Sequence, residues 1–202
     1  PRVPTGPTGQ NCHGIDRTGD GVPLSDHQHT AGHEWPGEFT FCPHCATKLE
    51  DRERGGKLRR SCPSCGFVHW RNPGVGAAAV VFDHEGRILL VRRARGATRS
   101  GFWSIPAGFV DYGEEIRAAA ARELAEETGL IAEIGAPAWV ASNFHDPGKL
   151  TVGIWFQATV VGGELVAGDD ADDARFFALD DLPPLAFETD RAFLETEHGA
   201  RP

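Results

Sequence analysis

No stretch of this chain approaches the ~18 consecutive apolar residues that a membrane span requires, and its opening, PRVPTGPTGQ, holds no apolar signal region. Those two absences predict a protein with no membrane partner and a cytoplasmic location. Positive charge is scarce: 20 Lys and Arg face 29 Asp and Glu, a net charge of -9. That balance argues against generalised binding to nucleic acid or acidic membranes, and leaves room only for a local basic patch. Large aliphatic residues are nearly missing from residues 1 to 38, which are rich in Gly, Pro, Thr, Asp and His and lack periodicity. Such a segment cannot bury enough surface to offset the entropy of ordering, so it reads as a flexible tail. Four histidines there, His13, His27, His29 and His33, read as solvated, with incidental metal affinity as the alternative.

Cysteine is sparse as well, yet four of the five cysteines form two C-x-x-C pairs, Cys42/Cys45 and Cys62/Cys65. Without a secretory signal, such pairs read as a metal site rather than a disulfide framework. Each C-P-x-C turn can present two thiolates to one ion, and the sixteen residues between the pairs suffice for a short hairpin that joins the turns. Residues 39–71 are therefore expected to form a zinc ribbon holding a structural Zn2+, a closed site that does no chemistry. Four thiolates leave no need for His44 or His69 as ligands. Cys12, in the tail, reads as an idle thiol.

The length of 202 residues suits one ordinary domain with a small appendage, and an apolar fraction of 40% is adequate for its core. From Asn72 the pattern changes. "GVGAAAVVF" and "RILLVRR", joined by the turn-forming Asp83-His84-Glu85-Gly86, read as a hairpin. A second strand pair is expected at Ala138 to Asn143 and Leu150 to Val161, with Asp146-Pro147-Gly148 as its turn. "ARFFAL" is a further strand, and Thr189 to His198 a helix started by a threonine or aspartate cap. Strands mixed with two helices suggest an α/β or α+β sandwich.

The segment from Gly108 to Leu130, GFVDYGEEIRAAAARELAEETGL, carries six carboxylates. Strong helix formers fill its centre, and Gly129 is a natural stop. On a helix Glu123, Glu126 and Glu127 converge on one side, where like charges and the negative end of the helix dipole both oppose them. Arg122 supplies one positive charge, too little for the cluster. A hard divalent cation held by oxygen ligands answers the imbalance, and a solvated, salt-bridged helix face answers it equally well on spacing alone.

The segment resembles the signature of the Nudix hydrolases: a glycine, a glutamate after five residues, and then, after seven more, R-E-U-x-E-E-x-G-U with U apolar. Gly108, Glu114, Arg122, Glu123, Leu124, Glu126, Glu127, Gly129 and Leu130 all stand at the required positions. The resemblance covers roughly residues 75 to 185 and implies an α/β/α sandwich with a mixed sheet over residues 72–202. It also implies attack of water on a diphosphate linked to another group, with Mg2+ or Mn2+. By the same resemblance Glu123, Glu126 and Glu127 are metal ligands, the Ala107 carbonyl adds an oxygen, Arg122 orients the glutamates and Glu114 partners Arg122. Physically, Gly108 suits a close backbone approach. The general base is a signature glutamate or a later acid from Asp169, Asp170, Asp172 and Asp173; by analogy Asp173 is best placed. A solvated acidic loop is the alternative for each aspartate.

Arg92, Arg93, Arg95 and Arg99 cluster before the signature and read as a diphosphate grip or as an exposed loop, Arg92 and Arg93 being the foremost substrate contacts. Trp103, Phe109, Trp139, Phe144 and Trp155 include candidates for stacking on a base, most of them expected in the core. A ribbon before a Nudix domain is similar to the NADH pyrophosphatases and to ADP-ribose pyrophosphatase-like proteins. The S-Q-P-W-P-F-P-x-S segment of the first group is missing here, and the single tyrosine, Tyr112, is inside the signature, unlike diadenosine polyphosphate hydrolases. ADP-ribose hydrolases tend to carry a proline downstream, and Pro147 lies seventeen residues past Leu130. The resemblance thus points to a nucleoside diphosphate-linked small molecule, ADP-ribose before NADH or FAD. Residues 42–71 hold seven Lys and Arg against three acids, so nucleic-acid binding by the ribbon, removal of a nucleotide cap from RNA, and a ribbon-mediated homodimer stay open.

Overall fold

The computed structural model of the chain describes residues 39–143, 145–146 and 148–200. The expected tail with Cys12, and the candidates Phe144 and Pro147, lie outside the described residues. No helix among the described residues is long and apolar enough to cross a membrane.

The cysteine segment folds around a two-stranded antiparallel hairpin, β1 (Glu50–Arg54) and β2 (Lys57–Ser61), closed by Gly55-Gly56. Both C-P-x-C turns use the same hydrogen bonds. Cys42 N–H donates to Thr47 and Ala46 N–H to Cys42, while Cys62 N–H donates to Phe67 and Gly66 N–H to Cys62. Leu49 and Phe67 pack with Cys42 and Cys62 in a small apolar cluster, too small a core to stand without a further staple.

The remaining strands are β3 (Gly74–Val81), β4 (Ile88–Arg93), β5 (Trp103–Ser104), β6 (Ala107–Phe109), β7 (Leu130–Asn143), β8 (Thr151–Gly163) and β9 (Ala171–Phe177), with helices α1 (Ile116–Thr128) and α2 (Glu188–Ala200). They build two sheets: a mixed one ordered β6-β3-β8-β7 and an antiparallel one ordered β5-β4-β9. The expected hairpin of β3 with β4 does not form. β3 pairs with β6 and, in parallel, with β8, while β4 pairs with β5 and β9. Only the bridge Phe82–Ile88 joins them. The turn itself is real: Asp83 accepts from the N–H groups of Glu85 and Arg87. Its role is to carry the chain from one sheet to the other. By contrast, β7 and β8 do pair as expected, antiparallel, with β7 starting at Leu130.

Core packing explains the layering. Along β3, Ala78 and Val80 point into a cluster with Trp103, Trp155, Phe193 and Leu194. Their neighbours Ala77, Ala79 and Val81 point the other way, towards Ala119, Ala120 and Leu124 of α1. Successive residues of a strand face opposite sides, so a strand buried continuously from Ala77 to Val81 must be covered twice, by α1 on one side and α2 on the other. This is the α/β/α sandwich with a mixed sheet. The alanines at 77, 79, 119 and 120 keep the α1 contact close.

Candidate active site

Helix α1 begins where the Glu115 carboxylate accepts from the N–H groups of Arg117 and Ala118, satisfying two of the donors a helix start leaves open. It ends at Gly129, left-handed at φ 68°, whose N–H returns to Ala125. A side chain there would also strike the Glu164 carbonyl. The buried stripe of α1 contains Ala120, Leu124, Glu127 and Thr128, so Glu127 occupies a position that the helical period assigns to the core. It is 2% exposed.

Three segments converge on that carboxylate. Ala107 in β6 donates its N–H to Glu127 Oε2 at 3.1 Å. The loop before β9 caps the helix end, Val166 N–H donating to Thr128 O and Gly168 N–H to Glu127 O. These carbonyls have no partner inside the helix, and capping them brings Asp170 against the Glu127 side chain. Burial, then the facing Asp170, push Glu127 up to about 9, against the Ala107 N–H, with Glu123 adding to the rise. Glu123 is raised as well, by burial first, opposed by Arg122, with Glu126 and Asp169 adding repulsion. Gly108 completes the cradle: a Cβ there would overlap the Glu123 carboxyl.

Arg122 organises the outer side. Its Nε and Nη2 fork onto Glu114 at 2.9 and 3.0 Å, Nη1 reaches Glu123 at 2.8 Å and Glu126 at 3.1 Å, and Nη2 also meets the Phe109 carbonyl at 3.1 Å. That arginine, helped by the Asp111 N–H, holds Glu114 down at about 2. One guanidinium therefore anchors Glu114 and aligns two further carboxylates. Its single charge does not reach Glu127, which faces Asp170, itself paired with Arg93 at 3.2 Å; the group is a donor set of hard oxygens in a partly dry cradle, which fits a divalent cation.

A cleft of about 220 Å³ opens beside Ala107, Gly108 and Phe109. Arg93, His145 and Lys149 bring basic groups to it, and Phe187 a ring. Lys149 Nζ lies 3.9 Å from the Phe109 ring centre, and His145 stacks on Phe187 at 4.7 Å. Burial and then Arg99 press the His145 imidazole towards its neutral form. At the cleft wall Asp190 of α2 is 4% exposed and accepts from Ile105 N–H at 3.2 Å and Trp155 Nε1 at 3.0 Å. Burial pushes it up to about 6, although those two donors and Arg93 work against the shift.

Not every expected site residue joins this assembly. Asp173 faces Arg92 across β9 and β4, and its ion pairs are with Arg175 at 2.6 Å and Arg92 at 3.9 Å. The acid that reaches Glu127 is Asp170, carried by the loop that caps the end of α1. Arg92 is likewise engaged by Asp172 at 2.6 Å. Arg93 instead spans the two regions, bonding Asp170 at 3.2 Å and lining the cleft. Ala107 meets the cluster through its N–H. Trp103, Trp139 and Trp155 belong to the core or its margin, and of the described aromatic candidates only Phe109 and Trp155 border the cleft. Asp190, Lys149, His145 and Phe187 carried no site signal in the sequence, since a lone polar or aromatic residue in a loop or terminal helix matches many environments.

The four cysteines meet in the ribbon. Their sulfurs all lie within 4.8 Å of one another, with Cys42–Cys65 and Cys45–Cys62 at 3.5 Å. Ligands ~2.3 Å from a tetrahedral centre stand about 3.8 Å apart, so the set fits one thiophilic ion. His44 N–H and Cys65 N–H each point at a cysteine sulfur at 3.4 Å, supporting negative charge there.

Residues 72–196 match the NUDIX domain family. The chain belongs to that family. This NUDIX protein is 39% identical over 121 residues to an ADP-ribose pyrophosphatase of Methanocaldococcus jannaschii, covering 59% of this chain and 70% of the relative. It is 34% identical over 154 residues to the NAD-capped RNA hydrolase NudC of Stutzerimonas stutzeri, covering 75% of this chain and 52% of the relative. The chain thus spans about half the length of that relative. Among solved structures, a NUDIX hydrolase from Nitrosomonas europaea aligns with a TM-score of 0.69 at 28% identity, over 81% of this chain and 95% of the other.

Proposed function

We propose that this NUDIX protein hydrolyses the diphosphate bond of a nucleoside diphosphate derivative, ADP-ribose first, then NADH or FAD. The observation that carries the reading is the group Glu123, Glu127 and Asp170 beside Gly108, opening onto a cleft with basic and aromatic walls. Glu123, Glu126, Glu127 and Asp170 would hold Mg2+ or Mn2+, with Ala107 as a neighbouring backbone group. When bound, such an ion offsets diphosphate charge and lowers the pKa of a bound water. The chain's own residues do the rest. Arg122 fixes the glutamates, Gly108 leaves room for the Glu123 carboxyl, and Arg93 faces the substrate charge from β4 while holding Asp170. A carboxylate of the cluster takes the proton as water oxygen bonds to phosphorus and one P–O bond of the anhydride breaks, giving AMP and the phosphorylated remainder.

The similarity to the M. jannaschii ADP-ribose pyrophosphatase supports that ordering of substrates. Likeness to NudC favours a second reading, removal of a nucleotide cap from RNA. We assign Zn2+ to the four cysteines, residues 39–71 to the ribbon and 72–202 to the hydrolase domain, and place the chain in a reducing, cytoplasmic setting that keeps four thiolates available. The test is AMP release, with Mg2+ or Mn2+, from ADP-ribose, NADH, FAD and NAD-capped RNA, run beside Glu127→Gln. A kcat/KM above ~10^4 M⁻¹s⁻¹ on one substrate, lost in the variant, supports the reading. Undiminished turnover by the variant removes α1 from the chemistry.

A further inference from the structure

The ribbon hairpin carries its charges in an unfavourable arrangement. Register pairs Arg52 with Arg59 and Arg54 with Lys57, so four cations occupy one face of two short strands. Directly opposed like charges destabilise a strand pair. On that face Glu50 is the one carboxylate of the hairpin, bonded to Arg52 at 3.0 Å. The other face carries Asp51 and Glu53 against Arg60 alone, with Asp51 opposite Arg60 at 3.8 Å.

An exposed aromatic extends the cationic face. The bridge of Ser61 with Val68 and the bond from His69 N–H to Arg60 O continue the antiparallel register. Trp70 therefore falls opposite Arg59, and the Arg59 guanidinium lies 4.5 Å from its ring centre. Trp70 is 56% exposed. Arg52, Arg59 and Trp70 form one row across three extended segments, with Arg54 and Lys57 in the row beside it, towards the hairpin tip and away from the cysteines.

We propose that this face, formed by Arg52, Arg54, Lys57, Arg59 and Trp70, grips single-stranded nucleic acid. The like-charge rows match a phosphodiester backbone, and a solvent-facing indole offers an unpaired base a surface on which to stack. An acidic protein patch would use the cations but leave the Trp70 face without a partner, and duplex would hide its base faces. The charge is local: the chain as a whole is at -9. The proposal stands apart from the hydrolysis reading, because an uncapped strand has no diphosphate linkage for the NUDIX site to cut.

The test is fluorescence anisotropy of the full chain, zinc-loaded, with a labelled RNA of about 12 nucleotides carrying a 5′-hydroxyl, and with the same RNA as a duplex. Wild type is expected to bind the single strand with affinity that falls as salt rises. Arg54→Gln/Lys57→Gln/Arg59→Gln should weaken it at least tenfold at ~0.1 M salt and flatten the log–log salt slope by about 2. Trp70→Ala should weaken single-strand binding roughly tenfold with the slope kept, and Arg59→Lys should keep most of the slope. Zinc content and ADP-ribose turnover report that each variant is folded. No binding at ~50 mM salt, equal affinity of wild type and variants, or a preference for duplex would overturn the proposal. So would a wild-type dimer that the triple variant splits while RNA never binds, which would make the face a contact between two copies of the chain.

Discussion

The Glu123 carboxyl occupies the space that any side chain on residue 108 would need. The glycine of β6 and the glutamate of α1 are thus a single device. Gly108→Ala is expected to turn Glu123 out of the cluster and lower kcat about 10²-fold, the usual cost of misplacing a catalytic group by ~1 Å. Steady-state AMP release checks it; a variant with unchanged kcat would mean that Glu123 can work from another rotamer.

Glu127 is buried and faces Asp170, an arrangement that costs stability when no cation lies between them. Glu127→Gln keeps the shape, can still accept from Ala107 N–H, and removes one of the two facing acids. In buffer without added Mg2+ or Mn2+, its unfolding free energy is expected to exceed wild type by about 1–3 kcal/mol, while turnover is lost. Urea unfolding of both proteins gives the sign directly.

Arg122 makes its contacts from three nitrogens in one plane. Lysine places a single ammonium on the same path and cannot fork onto Glu114 while reaching Glu123. Arg122→Lys is expected to lose about 1–3 kcal/mol together with most activity. Glu114→Gln should reproduce a smaller part of both losses, because Arg122 keeps Glu123 and Glu126. Thermal melts and kinetics on the pair will separate anchoring from alignment.

The ribbon cluster of Cys42, Leu49, Cys62 and Phe67 is too small to hold β1 and β2 without the thiolate site. Cys62→Ser is expected to abolish bound zinc, at one ion per chain in wild type, and to unfold residues 39–71. Zinc analysis with hydrogen exchange reads both. Slow exchange of the Cys42 and His69 amides in the zinc-free variant would count against the staple.

Asp190 titrates at about 6 in the fold, above its ordinary 3.8. A raised folded value means that the native state binds more protons than the unfolded state between those limits. Its contribution to stability is complete below pH ~3.8 and is lost as pH rises through ~6, a change of up to about 3 kcal/mol. Asp190→Asn cannot titrate, and its amide would turn a donor towards either Ile105 N–H or Trp155 Nε1. The wild-type advantage over this variant should therefore be largest near pH 4 and shrink towards pH 7. Urea unfolding across that range tests the sign, and a gap that widens with pH would show that Asp190 is ionised throughout.

Much of this was legible before any coordinates. The helix from residue 116 to 128, its Gly129 stop, the paired strands β7 and β8 and the two C-x-x-C turns all rest on local signals that survive folding. The β3–β4 hairpin misled because turn chemistry at Asp83–Gly86 is local, whereas strand partners are not: both runs are apolar enough for either sheet, and burial on two faces drew them into different ones. Asp173 lies apart from Glu127 for a similar reason. Four aspartates within five residues are equivalent on paper, and the difference arises only where α1 needs its last carbonyls capped.

By itself the sequence determined the residue types that make the chemistry possible: a carboxylate helix with one arginine, a glycine where a glutamate must come close, and four thiols at metal-binding spacing. Tertiary structure decided which acid joins the cluster, which arginine reaches the cleft, and that cations share one face of the ribbon hairpin. Spacing governs what lies one helical turn or one strand row away. Contacts between distant segments depend on core burial and on satisfying every backbone group at once, and no short stretch of sequence carries that information.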